Sequence, residues 1–184
     1  MLSRAAAVRF LQQSTFGGSV ADVAHLQTIG IDAWLDEQFA MPQTASHLAR
    51  SLVATPKSEP QRSFWQGYIT DPDQLRKRWA YALSQIFVVS TREVGRSRVA
   101  AFADLLEQHC FGTYRELIEH ITYSQAMALY LTYDGNRRAG AYRNNVPDEN
   151  YAREIMQLFS IGLWELEPDG TRRLGLNGEP IPTY

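Results

Sequence analysis

The sequence predicts an all-α, multi-helix domain, orthogonally packed or bundle-like, that ends in a small C-terminal β-hairpin or irregular arm. Three observations predict it. Apolar residues recur at three- and four-residue spacing along most of the 184 residues. Small polar residues able to cap a helix stand immediately before these runs. After the last such run come two turn dipeptides, Asp169-Gly170 and Asn177-Gly178, which suit a hairpin better than a helix.

Taken in order, Ser3 caps a helix to about Gln13 with Ala7, Phe10 and Leu11 inward, and Gly17-Gly18 ends it. Ser19 caps a second helix carrying Val20, Val23, Ala24 and Leu26, which stops near Gly30; Asp32 caps a third, with Trp34, Leu35 and Phe39 inward, closed by Pro42. From Pro42 to Pro60 the small and polar residues predict a mobile surface connection with one weak helical turn near Leu48. Asp71-Pro72 is a start signal for a central helix to about Ser90, with Leu75, Trp79, Leu83, Ile86 and Phe87 at core spacing.

A polar turn with Arg92, Arg96 and Arg98 precedes a helix from Val99 to His109 that puts Phe102, Leu105 and Leu106 inside and stops by Gly112. Thr113 and Glu116 form a capping-box pair for the helix carrying Leu117 and Ile118. Ser124 caps the next, to about Leu131. The glycine- and asparagine-rich stretch from Tyr133 to Val146 leads to Pro147, the start of a helix to about Ile161. The core is expected around Trp79, Leu83, Ile86, Leu105, Leu117, Ile155 and Leu158.

With 45% hydrophobic and 21% charged residues the chain is that of one folded domain spanning 1–184, and no apolar run has the length of a membrane span, so membrane insertion is not expected. A formal charge of −2, drawn from residues spread along the chain, carries no footprint of a nucleic-acid binder. Nearly all the basic residues are arginine; Lys57 and Lys77 are the lysines. Cys110 is the sole cysteine, which excludes an intrachain disulfide and a cysteine-rich zinc site and reads as a small core residue. The start of the chain lacks the pattern of an export signal.

The runs RFLQQSTFG (Arg9 to Gly17), GIDAWLDEQF (Gly30 to Phe39), DQLRKRWAYALSQIFVVS (Asp73 to Ser90), FGTYRELIEHIT (Phe111 to Thr122) and PDENYAREIMQLFSIGLWELEPDGT (Pro147 to Thr171) together resemble the bacterial family known as domain of unknown function eighteen hundred. The resemblance covers nearly the whole chain in order. It implies that the chain is the N-terminal part of a longer protein, of exported, periplasmic or secreted origin, whose partner is the remainder of the same polypeptide or another protein. It brings no activity with it.

Chemistry is best sought on the helix that starts at Pro147, where Asp148, Glu149, Asn150, Arg153 and Glu154 place carboxylates, an amide and a guanidinium within about two turns, next to Asn145 in the preceding loop. As a plain amphipathic helix, this face is explained by acidic residues at the positive helix end and a Glu149–Arg153 pair. As a site, Glu149 and Glu154 would be the acid and base of a hydrolase of polar or saccharide-like substrates, with Asn145, Asp148, Asn150 and Arg153 holding the substrate. The loop could offer oxygen ligands to calcium, but its spacing matches no calcium loop, and His25, His47, His109 and His120 are scattered without a ligand motif. No metal or cofactor is expected. There is no P-loop, dinucleotide fingerprint or G-x-S-x-G element, so a non-catalytic structural or interaction module is the first reading and the hydrolase the alternative.

Overall fold

The computed structural model describes residues 2–44, 46–53, 60–140 and 146–183, and it is mostly helical. The chain forms two compact units, Met1–Ala126 and Met127–Tyr184. Unit 1 holds α1 (Arg4–Ser14), α2 (Val20–Ile29), α3 (Ile31–Ala40), α4 (His47–Val53), α5 (Pro60–Thr70), α6 (Gln74–Ser84), α7 (Thr91–Val94), α8 (Arg96–His109) and α9 (Tyr114–Thr122). The boundary between the units falls within α10 (Gln125–Tyr130), and unit 2 contains α11 (Asn150–Gln157). No helix among the described residues is long and apolar enough to cross a membrane.

Local chemistry sets the first three helices. The Ser3 side chain accepts the Ala6 N–H at the start of α1, and Ser19 and Asp22 form a full capping box on α2. Gly30, at φ 84°, ends α2 and begins α3 without a spacer residue, a conformation that favours glycine. Ala7, Leu11, Val23, Leu26, Trp34 and Leu75 then form one buried cluster, and Phe10 meets Trp34 edge-on at 5.3 Å. The expected Thr113–Glu116 capping box on α9 is present, with the Thr113 and Glu116 side chains each accepting the other residue's backbone N–H. Thr113→Ala is expected to lower stability by about 1 kcal/mol in urea denaturation.

Several expectations need correction. The connection from Pro42 to Pro60, expected to hold one weak helical turn near Leu48, contains the seven-residue α4 at that place, whose His47 is fully buried; residue 45 and residues 54–59 lie outside the described set. The sequence reading placed no helix at α5. The central helix α6 is shorter than expected and rotated: Trp79 and Ile86 are exposed, while Arg76 and Lys77 are buried beside Leu75, Ala80 and Leu83. Periodicity assigns charges to the solvent side, and here buried carboxylates draw the charged residues inward. Of the remaining core expectations, Leu83 and Leu117 are buried, Leu105 and Ile155 are partly so, and Leu158 is exposed.

In unit 2, α11 spans Asn150–Gln157, with Glu149 at its N-cap position, and is shorter at both ends than the helix expected from Pro147 to Ile161. Tyr151 is buried and stacks on Tyr133 at 4.3 Å. In place of a hairpin ladder, the C-terminal segment carries isolated antiparallel bridges, Trp164 with Pro182, Leu166 with Arg172 and Leu174 with Pro180. Gly170 and Gly178, at φ 84° and 77°, turn the chain at the two dipeptides that marked it.

A candidate binding cavity over a buried ionic floor

In unit 1, α4, α5 and α6 all pack on α8. Asp104 of α8 makes α4 possible: its carboxylate accepts the backbone N–H groups of His47 and Leu48 at 2.6 and 3.0 Å and the Ser46 hydroxyl at 2.5 Å. Two orphan donors of α4 are thus satisfied by a residue more than fifty positions away, while the Ser46 hydroxyl oxygen accepts the Ala49 N–H at 3.1 Å. Pro60, Ser63 and Gly67 form the buried face of α5, small side chains that allow close approach. A Cβ on Gly67 would lie 3.0 Å from Asp71 Oδ2 and 3.5 Å from His47 Cε1, so only glycine fits there without displacement.

Between these helices lies a charged network shielded from water. His47 and Glu107 are 1% and 2% exposed, and Lys77 and Asp73 are 0%. The His47 ring bonds Glu107 Oε1 through Nε2 at 2.7 Å and Ser63 Oγ through Nδ1 at 2.9 Å. The Lys77 ammonium donates to Glu107 Oε2 at 2.7 Å and lies 3.3 Å from Asp71 and 3.7 Å from Asp73. Arg50 pairs with Asp71 at 2.6 Å, and Thr44 donates to Asp73 through its hydroxyl and its N–H. Arg76 ties α6 to two carbonyls, those of Glu107 and Met41.

These contacts set the protonation of the acids. Burial pushes the Glu107 carboxyl up, but hydrogen bonds and charge from His47 and Lys77 outweigh it and hold it below the usual range. Asp71 is likewise held low: burial opposes, and the Arg50 hydrogen bond with the Lys77 and Arg50 charges prevails. Burial, the Glu107 charge and Tyr81 together push the Tyr68 phenol up, so it stays a hydrogen-bond donor at any ordinary pH. Burial also pushes the Cys110 thiol up to about 11, which suits the inert core role its sequence context gave it.

Above this network is a cavity of about 500 Å³, a size that suits a small organic molecule. Its walls include Phe64, Trp65, Tyr68, Tyr81, Phe87 and Phe102, and His47 and Glu107 line it at the network. Two chemistries that the network suggests are disfavoured by its bonding. Ser63, His47 and Glu107 have the hydrogen-bond lengths of a nucleophile, base and carboxylate, but Ser63 is 3% exposed and is not one of the cavity-lining residues, so a substrate has no approach to it. His47, Asp104 and Glu107 offer donor atoms within 4.8 Å of one another, as a metal would need. Their oxygens already accept from the α4 backbone, Ser46, His47 and Lys77, and the Lys77 ammonium supplies the positive charge.

The residues singled out from sequence are in unit 2. Asp148, Glu149, Asn150 and Arg153 are exposed; Asn145 lies outside the described residues. Asp148 accepts the Asn150 N–H at 2.8 Å and the Thr132 hydroxyl at 2.7 Å, which hold its carboxyl low. The Asn136 amide clamps the Asp148 backbone from both sides, at 2.9 and 3.0 Å. Glu149 forms the expected ion pair with Arg153. Glu154 is half-buried, and its Oε2 is shielded with no hydrogen-bond partner among the described residues. Asp148 and Asn150 are thus brought together and Glu149 is tied to Arg153, while no hydrogen bond among the described residues joins Glu149 to Glu154. The sequence reading missed the floor of unit 1, although one signal pointed to it: Lys77, one of two lysines in an arginine-rich chain, follows Asp71 and Asp73 in a single helix start.

No curated protein and no solved structure matches the chain. Residues 9–174 match the family described as Protein of unknown function (DUF1800). That match spans most of the 184 residues, from within α1 through α11, and takes in the whole cavity and the α11 face, so the chain belongs to the DUF1800 family.

Proposed function

We propose that the protein is a non-catalytic binding module whose unit 1 holds a small organic ligand in the aromatic cavity. The observation that carries this reading is the cavity itself: rings from α5, α6 and α8 over a floor in which Ser63, His47, Glu107 and Lys77 are joined by hydrogen bonds. A site built for acid–base chemistry keeps a titratable group free to reach the substrate, whereas here both His47 nitrogens and both Glu107 oxygens are engaged. Apolar walls with a few fixed polar groups are the common form of a ligand pocket. A ligand that binds only the folded state raises the melting temperature by mass action. Substituted benzenes and indoles are therefore expected to raise it in the wild type and not in Ala103→Trp, which fills the cavity, with circular dichroism showing that the variant is folded. Equal shifts in both proteins would place binding elsewhere.

The shielded Glu154 oxygen, without a hydrogen-bond partner among the described residues, favours a second reading, a hydrolase of polar or saccharide-like substrates on α11. In it Glu154 and Glu149 act as acid and base, with Asp148, Asn150, Arg153 and Asn145 orienting the substrate. Glu154→Gln is then expected to lower hydrolysis of glycoside or ester substrates at least a hundredfold without unfolding the protein. A folded variant with full activity removes this assignment.

A further inference from the structure

The cavity also carries a statement about the charge of its ligand, which rests on the reading of that cavity as a ligand site. Among the described residues, Glu107 is the one formally charged side chain that lines it, apart from the imidazole of His47. Behind Glu107 the carboxylates of Asp71, Asp73 and Asp104 face the cations Arg50, Arg76 and Lys77. Glu107 is 2% exposed, so water and salt screen its charge weakly. Arg78 lies 5.9 Å over the Tyr81 ring without lining the cavity, and it is partly exposed, so its opposing charge is better screened.

The rings meet at angles that suit a cation. Trp65 and Tyr68 are 5.9 Å apart with their planes at 79°, and Tyr68 and Tyr81 are 5.9 Å apart at 83°. Phe64 stands at 88° to the His47 ring, 4.8 Å away. Rings packed parallel would offer an intercalating slot for a flat neutral molecule. Rings set near right angles turn their electron-rich faces in more than one direction, and such faces attract an ammonium group by cation–π interaction. Phe16 stacks on Tyr68 at 4.0 Å and fixes that ring in place.

We propose that the cavity takes a small organic monocation with an apolar body, an aryl- or alkyl-substituted ammonium, with its charged head among Trp65, Tyr68 and Tyr81 on the Glu107 side. Neutral and anionic molecules of the same shape are disfavoured, the first by losing the cation–π and carboxylate attraction and the second by repulsion from Glu107.

Calorimetric titration of the full chain with three probes of nearly equal shape tests this: benzyltrimethylammonium, its neutral isostere neopentylbenzene, and phenylmethanesulfonate. The quaternary probe keeps its charge at every pH, so ligand protonation does not enter. The cation is expected to bind about tenfold tighter than the neutral isostere, with the anion weakest. Trp65→Leu, a change at an exposed ring, is expected to remove most of that preference, with the cation losing more affinity than neopentylbenzene. A neutral or anionic probe that binds as tightly as the cation overturns the charge assignment and leaves the cavity reading standing. Unchanged preference in Trp65→Leu and in Tyr68→Leu overturns the aromatic cage. Absence of binding by all three overturns the cavity reading and this inference with it.

Discussion

Replacing Lys77 with methionine is expected to destabilise the protein by about 3–5 kcal/mol, the largest effect of any single substitution considered. Methionine nearly matches the length of the lysine stem and leaves little void, so the loss isolates the charge. Without the ammonium, Glu107, Asp71 and Asp73 face one another in a space closed to water, and each must either stay ionised unpaired or take up a proton. Urea denaturation with circular dichroism measures the change. The double variant Lys77→Met/Glu107→Gln should recover part of the loss, because it removes one of the orphaned charges; the difference between the single and double changes is their coupling. A loss below about 1 kcal/mol, the range of a solvated surface pair, would mean that water reaches the network.

The second large effect is a loss of stability in acid. Glu107 and Asp71 are both held below their usual carboxyl range in the folded protein. The unfolded chain therefore takes up protons at these groups at higher pH than the folded one. Their contribution to stability is complete above the unfolded-state pKa and is lost progressively as pH falls from there through the lower folded-state pKa. The melting temperature is accordingly expected to decline as pH drops below the ordinary carboxylate range. Glu107→Gln should start from lower stability at neutral pH and show a shallower decline. Parallel profiles for wild type and variant would show that Glu107 does not drive the acid transition.

The parts of the fold that are legible in the sequence are those whose cause is local. Ser3, Ser19 and the Thr113–Glu116 pair cap the helices they precede, and Leu11, Leu26, Leu83 and Leu117 are inward at their predicted positions. What the sequence hid has causes distant along the chain. Helix α4 is held by Asp104 of α8 beyond its local Ser46 cap, so the sequence beside His47 announces no more than the weak turn expected near Leu48. Helix α5 buries Pro60, Ser63 and Gly67, small residues that a search for large apolar spacing passes over, while its Trp65 and Ile69 are exposed. The rotation of α6 has the same origin, since Trp79 fits a core pattern better than Lys77 until the carboxylates around Lys77 are known.

The candidate site divides in the same way. Asp148, Glu149, Asn150, Arg153 and Glu154 are close in sequence and therefore easy to see, and most of them lie on the surface with partners from neighbouring residues. The cavity floor draws His47, Asp71, Lys77 and Glu107 from separate helices and the turn before α6, with no common motif. Only the packing of α4, α5 and α6 on α8 assembles it.

The most direct test of the cavity as the ligand site is mapping by amide NMR. The isotopically labelled full chain is titrated with benzyltrimethylammonium, neopentylbenzene and phenylmethanesulfonate, and shifts are followed for the tightest binder. Saturable changes are predicted at Trp65, Tyr68, Tyr81 and Ala103, with the amides of Asp148 to Glu154 unmoved. Saturable changes centred on Asp148 to Glu154, or none at the cavity residues with any of the three probes, would contradict it.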